Sequence, residues 1–269
     1  MSAFPARVAT LAGVEEGSLE RLSCGDLSPV LLVRRSGAAP LVAKGGPSTG
    51  TEAAMLRALA GAGVPVPALE SEFDGVLMLE HVDNDGVFSA RAWQDIGRQL
   101  ARLHAHCGDQ YGWPADYRLG TVDLDNRERS DWPGFWAEQR LLAAASVLDR
   151  PWRERVEQLA ARLPDLLPAA PPPAWLHGDL WSGNILVRDG QLAAFIDPAC
   201  YHGHAEVELA MLHLFDAPPP EFWHGYGGRP DGWEQRLPHY QLFPALVHLR
   251  LFGATYAPLV DRLLTAAGS

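Results

Sequence analysis

The chain has 269 residues, of which 47% are hydrophobic and 20% are charged, and its formal net charge is −11. This length and apolar content are sufficient for one large domain or two lobes, and the acidic balance argues against nucleic acid or an anionic membrane as the main partner. The three cysteines are widely spaced, and no apolar run approaches the ~18 residues of a membrane span, so we predict a reduced, soluble, cytoplasmic protein.

The first 80 or so residues show short apolar runs that are separated by turn residues, a pattern typical of β-strands. Strands are predicted at 19–22, 29–34, 41–44 and 73–82. One helix is predicted to begin near Thr51 and to end at Gly61 and Gly63. The first part of the chain is therefore predicted to be β-rich with a single helix.

After residue 89, apolar residues recur at steps of three and four, the spacing of amphipathic helices. Helices are predicted at 91–106, 133–148 and 151–163, and from Glu208 to the end with a Pro/Gly-rich loop near 217–232. A small β-rich lobe over 1–82 and a larger, mainly helical lobe over 83–269 give an α+β, two-lobe fold class. Ligands favour the cleft between such lobes.

The segment WLHGDLWSGN places Asp179 and Asn184 five residues apart. An Asp-Gly pair at 189–190 follows, and Asp-Gly between two apolar runs is a strong signal for a two-residue hairpin turn. Counting back from that turn predicts that Asn184 faces Phe195, with Asp197 two residues beyond on the same face, roughly 7–8 Å away. The alternative interpretation is a polar loop beside an ordinary hairpin.

Oxygen ligands of this kind suit Mg²⁺, which keeps several waters and bridges substrate phosphates. Asn184 and Asp197 are the predicted metal ligands, which leaves Asp179 as the base for an incoming hydroxyl, the arrangement of a kinase catalytic loop. His177 is expected to support this loop by hydrogen bonding. Trp181, inside the loop, is a candidate for stacking on the acceptor, and packing is the equal alternative.

Phosphoryl transfer also needs a cation on the nucleotide phosphates. Lys44 ends an apolar strand, and Glu52 opens the next helix eight residues later, which is the lysine–glutamate pattern of kinases. The alternative is an exposed lysine and a glutamate that only complements the helix dipole. The backbone of Glu80, His81 and Val82, at the end of the last predicted strand of the first lobe, is expected to hydrogen-bond adenine.

A candidate phosphate-covering loop, SCGDLS at 23–28, lies between two predicted strands. Gly25 and Asp26 are its candidate nucleotide contacts. The segment has a single glycine, so a plain turn is the alternative. Cys24 would be sensitive to oxidation if its thiolate were favoured, and an inert small side chain is the simpler interpretation.

Three segments carry a resemblance to a known family: HGDLWSGN, IDPACYHGHAEVELAML and YQLFPALVHLRLFG are similar to the fructosamine/ketosamine-3-kinase family. Further similarity lies in 42–60, 93–104 and 111–141, so the resemblance covers nearly the whole chain. It implies a protein-kinase-like fold related to aminoglycoside and choline kinases. It also implies ATP-dependent phosphorylation of a ketosamine, at the 3-hydroxyl of its sugar, in the repair of glycated amines.

Carried over position by position, the resemblance gives the same roles as the residue patterns: Asp179 resembles the base, Asn184 and Asp197 the metal ligands, and Lys44 and Glu52 the phosphate-binding pair. The implied cofactors are ATP and Mg²⁺. The implied partner is a ketosamine, free or attached to a protein. We expect a monomer that binds neither nucleic acid nor membrane.

The chain departs from the family pattern at three places. Cys24-Gly25-Asp26 stands for a GGD-like loop, and Glu208 replaces an aspartate. The segment 121–130 departs from the family's TPQ-N pattern, in a region where acceptor contacts are expected. Two alternatives therefore stay open: a kinase for an aminoglycoside or another amino sugar, and a nucleotide-binding protein without catalysis, which the intact Lys, Glu, Asp, Asn, Asp set argues against.

Overall fold

A computed structural model describes residues 4–22 and 28–268. Its first part is an antiparallel sheet of five strands, which are β1 (Leu19–Arg21), β2 (Val30–Val33), β3 (Leu41–Gly45), β4 (Leu69–Phe73) and β5 (Val76–Glu80). Their order in the sheet is β1-β2-β3-β5-β4. Two helices, α1 (Phe4–Ala12) and α2 (Thr49–Gly61), pack on this sheet.

The two helices cover opposite faces of the sheet. Val76 and Met78 of β5 pack with Val8 of α1, whereas Leu77 and Leu79 pack with α2. Both faces are therefore buried at β2, β3 and β5, and this explains why these three strands are largely apolar runs instead of alternating ones, whereas β1 and β4 contain no buried residue. Neither α1 nor β4 is among the sequence predictions.

The second part is mainly helical and contains three small antiparallel ribbons. The helical segments are α3 (Ala90–His104), α4 (Trp132–Trp136), a π-helical segment (Ala137–Leu142), α5 (Ala143–Ala145), α6 (Arg150–Leu166), α7 (Glu206–Phe215), α8 (Pro220–Tyr226), α9 (Trp233–Phe252) and α10 (Ala257–Ala266). The ribbons pair β6 (Tyr117–Leu119) with β7 (Val122–Leu124), β8 (Ala174–Leu176) with β11 (Tyr201–Gly203), and β9 (Ile185–Arg188) with β10 (Gln191–Phe195). Among residues 4–22 and 28–268, no helix is long and apolar enough to cross a membrane.

Helices α3 and α8 cross at very short range because glycines lie at the crossing. A Cβ on Gly97 would lie 2.2 Å from the carbonyl oxygen of Phe222, and a Cβ on Gly225 would lie 2.0 Å from that of Gln94. Any larger side chain at either glycine would force the helices apart. The prediction of a Pro/Gly-rich loop near 217–232 was therefore wrong for the residues of α8.

Residues 73–82 form the end of β4, a turn and β5, so the prediction of one strand was wrong. The turn residues Asp74 and Gly75 have φ angles of 49° and 69°. Positive φ at both positions is the requirement of the tight hairpin turn for which Asp-Gly is a preferred pair. The signal that predicts the turn at 189–190 is present here too, inside the run for which a single strand is predicted.

The hairpin of β9 and β10 turns at Asp-Gly as predicted, but its register shifts after Leu192. Phe195 consequently does not face Asn184, and that predicted pairing was wrong by one residue. Ile196 lies opposite Asn184 instead, and its N–H donates to the carbonyl oxygen of Asn184 at 3.0 Å. One extra residue in one strand is a β-bulge. The bulge brings Asp197 to the position directly after this contact.

Candidate active site

Lys44 and Glu52 form a buried ion pair between β3 and α2. The lysine Nζ lies 2.6 Å from Glu52 Oε1 and 2.8 Å from Asp197 Oδ1, and the Lys44 and Glu52 side chains are each 8% exposed. Burial lowers the pKa of Lys44, but the two carboxylates outweigh this effect and raise it above its ordinary value. Lys44 is therefore a fixed positive charge, and the alternative of an exposed lysine was wrong.

Asp179 and Asn184 are held together by the amide of Asn184. Its Nδ2 donates to the main-chain oxygen of Asp179 at 2.7 Å and to Oδ2 at 3.0 Å. Burial raises the pKa of Asp179 to about 7, and the charge of Asp197 adds to this increase, whereas the hydrogen bond from Asn184 opposes it. A carboxylate whose pKa lies near the working pH is suited to general-base catalysis.

Asp197 joins the two groups of residues, because Oδ1 contacts Lys44 and its charge raises the pKa of Asp179. Its backbone has a left-handed φ of 57°, a conformation that aspartate tolerates better than most residues. Within the described part of the chain, neither Asp197 Oδ2 nor Asn184 Oδ1 has a hydrogen-bond partner. These two oxygens are the donor type that Mg²⁺ prefers, so the residues fit a magnesium ion.

Glu208 of α7 holds the backbone just before Asp179. It is fully buried; Oε2 accepts the His177 N–H at 3.1 Å, and Oε1 accepts the Gly178 N–H at 2.7 Å. Gly178 has a φ of 85°, and a Cβ there would lie 2.0 Å from the carbonyl oxygen of Ala199. Only glycine fits that position. The carboxylate and the glycine together fix the direction in which the chain enters the loop.

His104 contacts Glu208, and Tyr226 in turn contacts His104. His104 Nε2 lies 2.9 Å from Glu208 Oε2, and His104 Nδ1 lies 2.8 Å from the Tyr226 hydroxyl. Burial raises the pKa of Glu208, but the hydrogen bond and charge of His104 outweigh it and hold the pKa below its ordinary value. Glu208 is thus an anion, and His104 donates a hydrogen bond to it from Nε2.

His177 occupies the supporting position that the sequence suggests. Its Nε2 donates to the carbonyl oxygen of Ile196 at 2.9 Å, and the N–H of Asp179 donates to its Nδ1 at 3.4 Å. Burial lowers the pKa of His177, so the ring is neutral. It connects the loop to the residue before Asp197.

Trp181 is 39% exposed. Its ring centroid lies 6.4 Å from that of Phe215, and a Cβ on Gly183 would lie 2.3 Å from the ring. The N–H of Ser182 donates to Asp216 Oδ2 at 2.8 Å. The loop is therefore anchored beside an aromatic ring that is partly exposed to solvent.

The predicted adenine contacts lie at the end of β5. The Glu80 N–H donates to the carbonyl oxygen of Ala68 at 2.9 Å, so it is not free for adenine. The Val82 N–H makes no hydrogen bond to the described residues, and His81 follows β5 directly. Gly25 and Asp26 lie outside the described residues, as does Cys24.

Arg140 holds the segment 121–130, whose sequence departs from the family pattern, through contacts with two of its residues. This fully buried guanidinium donates to the carbonyl oxygen of Asp125 at 2.7 Å and to Asn126 Oδ1 at 2.7 Å, and it lies 4.3 Å from the Tyr201 ring centroid. In the adjoining ribbon, burial and the carboxylates of the site raise the pKa of Tyr117. The ribbon therefore lies within electrostatic reach of the site.

Sequence reasoning missed several positioning residues. Glu208 was noted only as a departure, although a carboxylate inside the apolar run VELAML is a signal of a buried partner. Asp95 lies in the helix predicted over 91–106 and is buried; it accepts the Leu192 N–H at 3.0 Å and a hydrogen bond from Arg98 at 2.9 Å. His104 fitted the helical spacing and gave no separate signal.

Residues 49–267 match the fructosamine kinase family model. The chain is 34% identical to a probable ketoamine kinase of Thermus thermophilus, over 95% of this chain and 97% of that protein. A candidate fructosamine-3-kinase of known structure from Thermobifida fusca is similar at a TM-score of 0.87 and 33% identity, with 98% of each chain covered.

The match spans 65% and 70% of the length of two further probable ketoamine kinases. An ADP-bound aminoglycoside phosphotransferase is similar in fold, with a TM-score of 0.69 at 15% identity over 99% of this chain and 98% of that chain. The predicted α+β, protein-kinase-like fold with two lobes is therefore confirmed. The chain belongs to the fructosamine kinase family.

Proposed function

We propose that this chain transfers the γ-phosphoryl group of ATP to the 3-hydroxyl of a ketosamine sugar, in the repair of glycated amines. The observation that carries the proposal is the cluster of Asp179, Asn184, Asp197 and Lys44. It combines a base whose pKa is about 7, two free oxygen ligands and a fixed cation. Family membership supports the choice of a ketosamine as the acceptor.

In the proposed reaction, Asp179 accepts the proton of the acceptor hydroxyl as that oxygen attacks phosphorus. Asn184 keeps the Asp179 carboxylate in place through Nδ2. Lys44 Nζ, which Glu52 orients, interacts with phosphate oxygens of the nucleotide. Mg²⁺ held by Asn184 and Asp197 would neutralise charge on the transferring phosphoryl group.

The remaining contacts belong to the same proposal. The Val82 N–H is the free backbone donor for adenine, and Glu80 and His81 complete that edge of the cleft. The boundary between the two lobes would then fall at residues 82 and 83, beside the adenine. Trp181, whose ring is partly exposed, would stack on the acceptor.

An acceptor panel tests the proposal. ADP formation would be measured with a ribulosamine, a fructosamine and an aminoglycoside, each with ATP and Mg²⁺, and ³¹P NMR would identify the phosphorylated hydroxyl. We expect turnover with a ketosamine only. Turnover with the aminoglycoside alone would mean that the acceptor is an aminoglycoside and not a ketosamine. Absence of turnover with all three compounds would overturn the proposal in favour of nucleotide binding without catalysis.

The matched variant is Asp179→Asn, which keeps the side-chain shape and removes the base. Loss of a general base lowers the rate by roughly 10²–10⁴-fold. Asp109→Asn is the control, because this aspartate is exposed and has no hydrogen bond or ion pair in the described part of the chain. Equal ADP formation by Asp179→Asn and the wild type would refute the role of Asp179.

A further inference from the structure

A row of aromatic side chains begins in the catalytic loop and ends at the surface beyond α9. The ring centroids of Trp181 and Phe215 are 6.4 Å apart, and those of Phe215 and His248 are 4.4 Å apart. His248 lies 5.4 Å from Phe252 and 5.1 Å from Tyr256. We call these five residues the aromatic strip. Its first member is two residues from the proposed base.

The aromatic strip is exposed at two of its rings and partly exposed at the other three. Trp181 is 39% exposed and Phe252 is 40% exposed, and the other three rings are partly buried. Single exposed apolar side chains are ordinary on a protein surface, whereas contiguous ones indicate a binding surface. Because the strip is continuous with the catalytic loop, a group that extends out of the site would lie along it.

Two hydrogen-bond acceptors lie along the strip, the carboxylate of Asp216 and the Nε2 atom of His248. Asp216 directly follows Phe215, and its Oδ2 accepts the Ser182 N–H. His248 Nδ1 donates to the carbonyl oxygen of Pro244 at 2.8 Å, so its Nε2 presents a lone pair and makes no hydrogen bond to residues 4–22 or 28–268. A carboxylate and a neutral acceptor match the two N–H groups of a protonated secondary amine. A ketosamine carries such an amine between its sugar and its substituent.

We propose that the aromatic strip binds the amine-bearing part of the acceptor, and that the chain prefers ketosamines whose amine carries an aromatic or long apolar substituent. This inference rests on the proposed function and specifies its substrate class. The sugar would lie at Asp179, the amine beside Asp216 and His248, and the substituent on Phe252 and Tyr256. Aromatic stacking on these two rings would supply the preference.

Two ketosamines with the same sugar test this, one on benzylamine and one on methylamine. The measured quantity is the ratio of their kcat/KM values. We expect the wild type to prefer the benzylamine compound by about tenfold, since aromatic pairs contribute roughly 0.5–1.5 kcal/mol each. Phe252→Ala and Tyr256→Ala should each lower the ratio by roughly threefold.

Phe73→Ala is the matched control, because Phe73 is 66% exposed and lies in β4, away from the strip. It should keep the wild-type ratio, and thermal denaturation would verify that every variant is folded. A wild-type ratio near one, or a ratio that Phe252→Ala and Tyr256→Ala both leave unchanged, would overturn the aromatic strip as a subsite and leave the proposed function standing. Failure of the wild type to phosphorylate either compound would instead refute the proposed function.

Discussion

Replacement of Asp179 by asparagine is expected to stabilise the ligand-free chain while it lowers the rate of the proposed phosphoryl transfer by roughly 10²–10⁴-fold. The folded structure raises the pKa of this carboxyl from 3.8 to about 7, first through burial and then through the charge of Asp197. The charged form is therefore unfavourable in the fold. Asparagine has the same shape, can still accept the hydrogen bond from Asn184, and carries no charge.

The magnitude follows from proton linkage. Between about pH 4 and pH 7 the folded wild type holds a proton that the unfolded chain has released, so its free energy of unfolding falls as the pH rises. The interval of about three pH units, at 1.36 kcal/mol each, sets an upper limit of roughly 4 kcal/mol. Asp179 keeps some solvent contact, so we expect about half of this, near 2 kcal/mol.

Thermal unfolding without nucleotide or metal measures the effect. A gain of about 2 kcal/mol corresponds to a Tm that is roughly 4–8 °C higher for a chain of this size. The difference between Asp179→Asn and the wild type should be small at pH 4, grow up to about pH 7, and stay constant above it. Asp109→Asn, which changes an exposed aspartate, should show no such growth.

An Asp179→Asn variant that is no more stable than the wild type at pH 8 would refute the reasoning, because the buried charge would then cost nothing. A gain of equal size at pH 4 and pH 8 would also contradict it. That result would attribute the stabilisation to packing and not to ionisation. Loss of ADP formation without any gain in stability would keep the catalytic role and reject the energetic one.

Three further outcomes are expected. Lys44→Arg should lower kcat/KM for ATP in ADP assays by roughly 100-fold, because a guanidinium does not fit between Glu52 and Asp197; an unchanged value would contradict this. Glu208→Gln should lower kcat roughly tenfold with little change in KM, because the glutamine amide cannot accept hydrogen bonds from both backbone N–H groups. A kcat near that of the wild type in Glu208→Asp would show that the loss in Glu208→Gln is not due to unfolding. Removal of divalent cations with EDTA should stop ADP formation until Mg²⁺ is returned.

The chemistry-bearing residues were predictable because their signals are local. Lys44 and Glu52 are marked by a strand end and a helix start, eight residues apart. The Asp-Gly turn at 189–190 returns the chain toward Asn184, and the observed φ angles of 51° and 71° are those that this turn requires. Short-range rules therefore brought the main residues of the site together. Their roles in catalysis stay predictions.

The parts that were missed depend on long-range packing. The bulge after Leu192 has no composition signal, since Leu, Ala and Phe suit regular and bulged strands alike. Helix α1 is defined by the sheet face that it covers. His104 and Glu208 are 104 residues apart, and neither predicts the other until the fold places both beneath the loop. Tertiary contacts, and not local propensity, decide these features.

The site concentrates negative charge at the expense of stability in the ligand-free state. Asp179, Asp197, Glu52 and Glu208 lie in or beneath one cleft, and the only lysine of the chain, Lys44, contacts just two of them. Burial raises the pKa of Asp179 to about 7, and the charges of Asp197 and Glu208 add to this increase. A metal–nucleotide complex would relieve this repulsion on binding, so the ligand-free chain should gain more stability from Mg²⁺ and nucleotide together than from either alone.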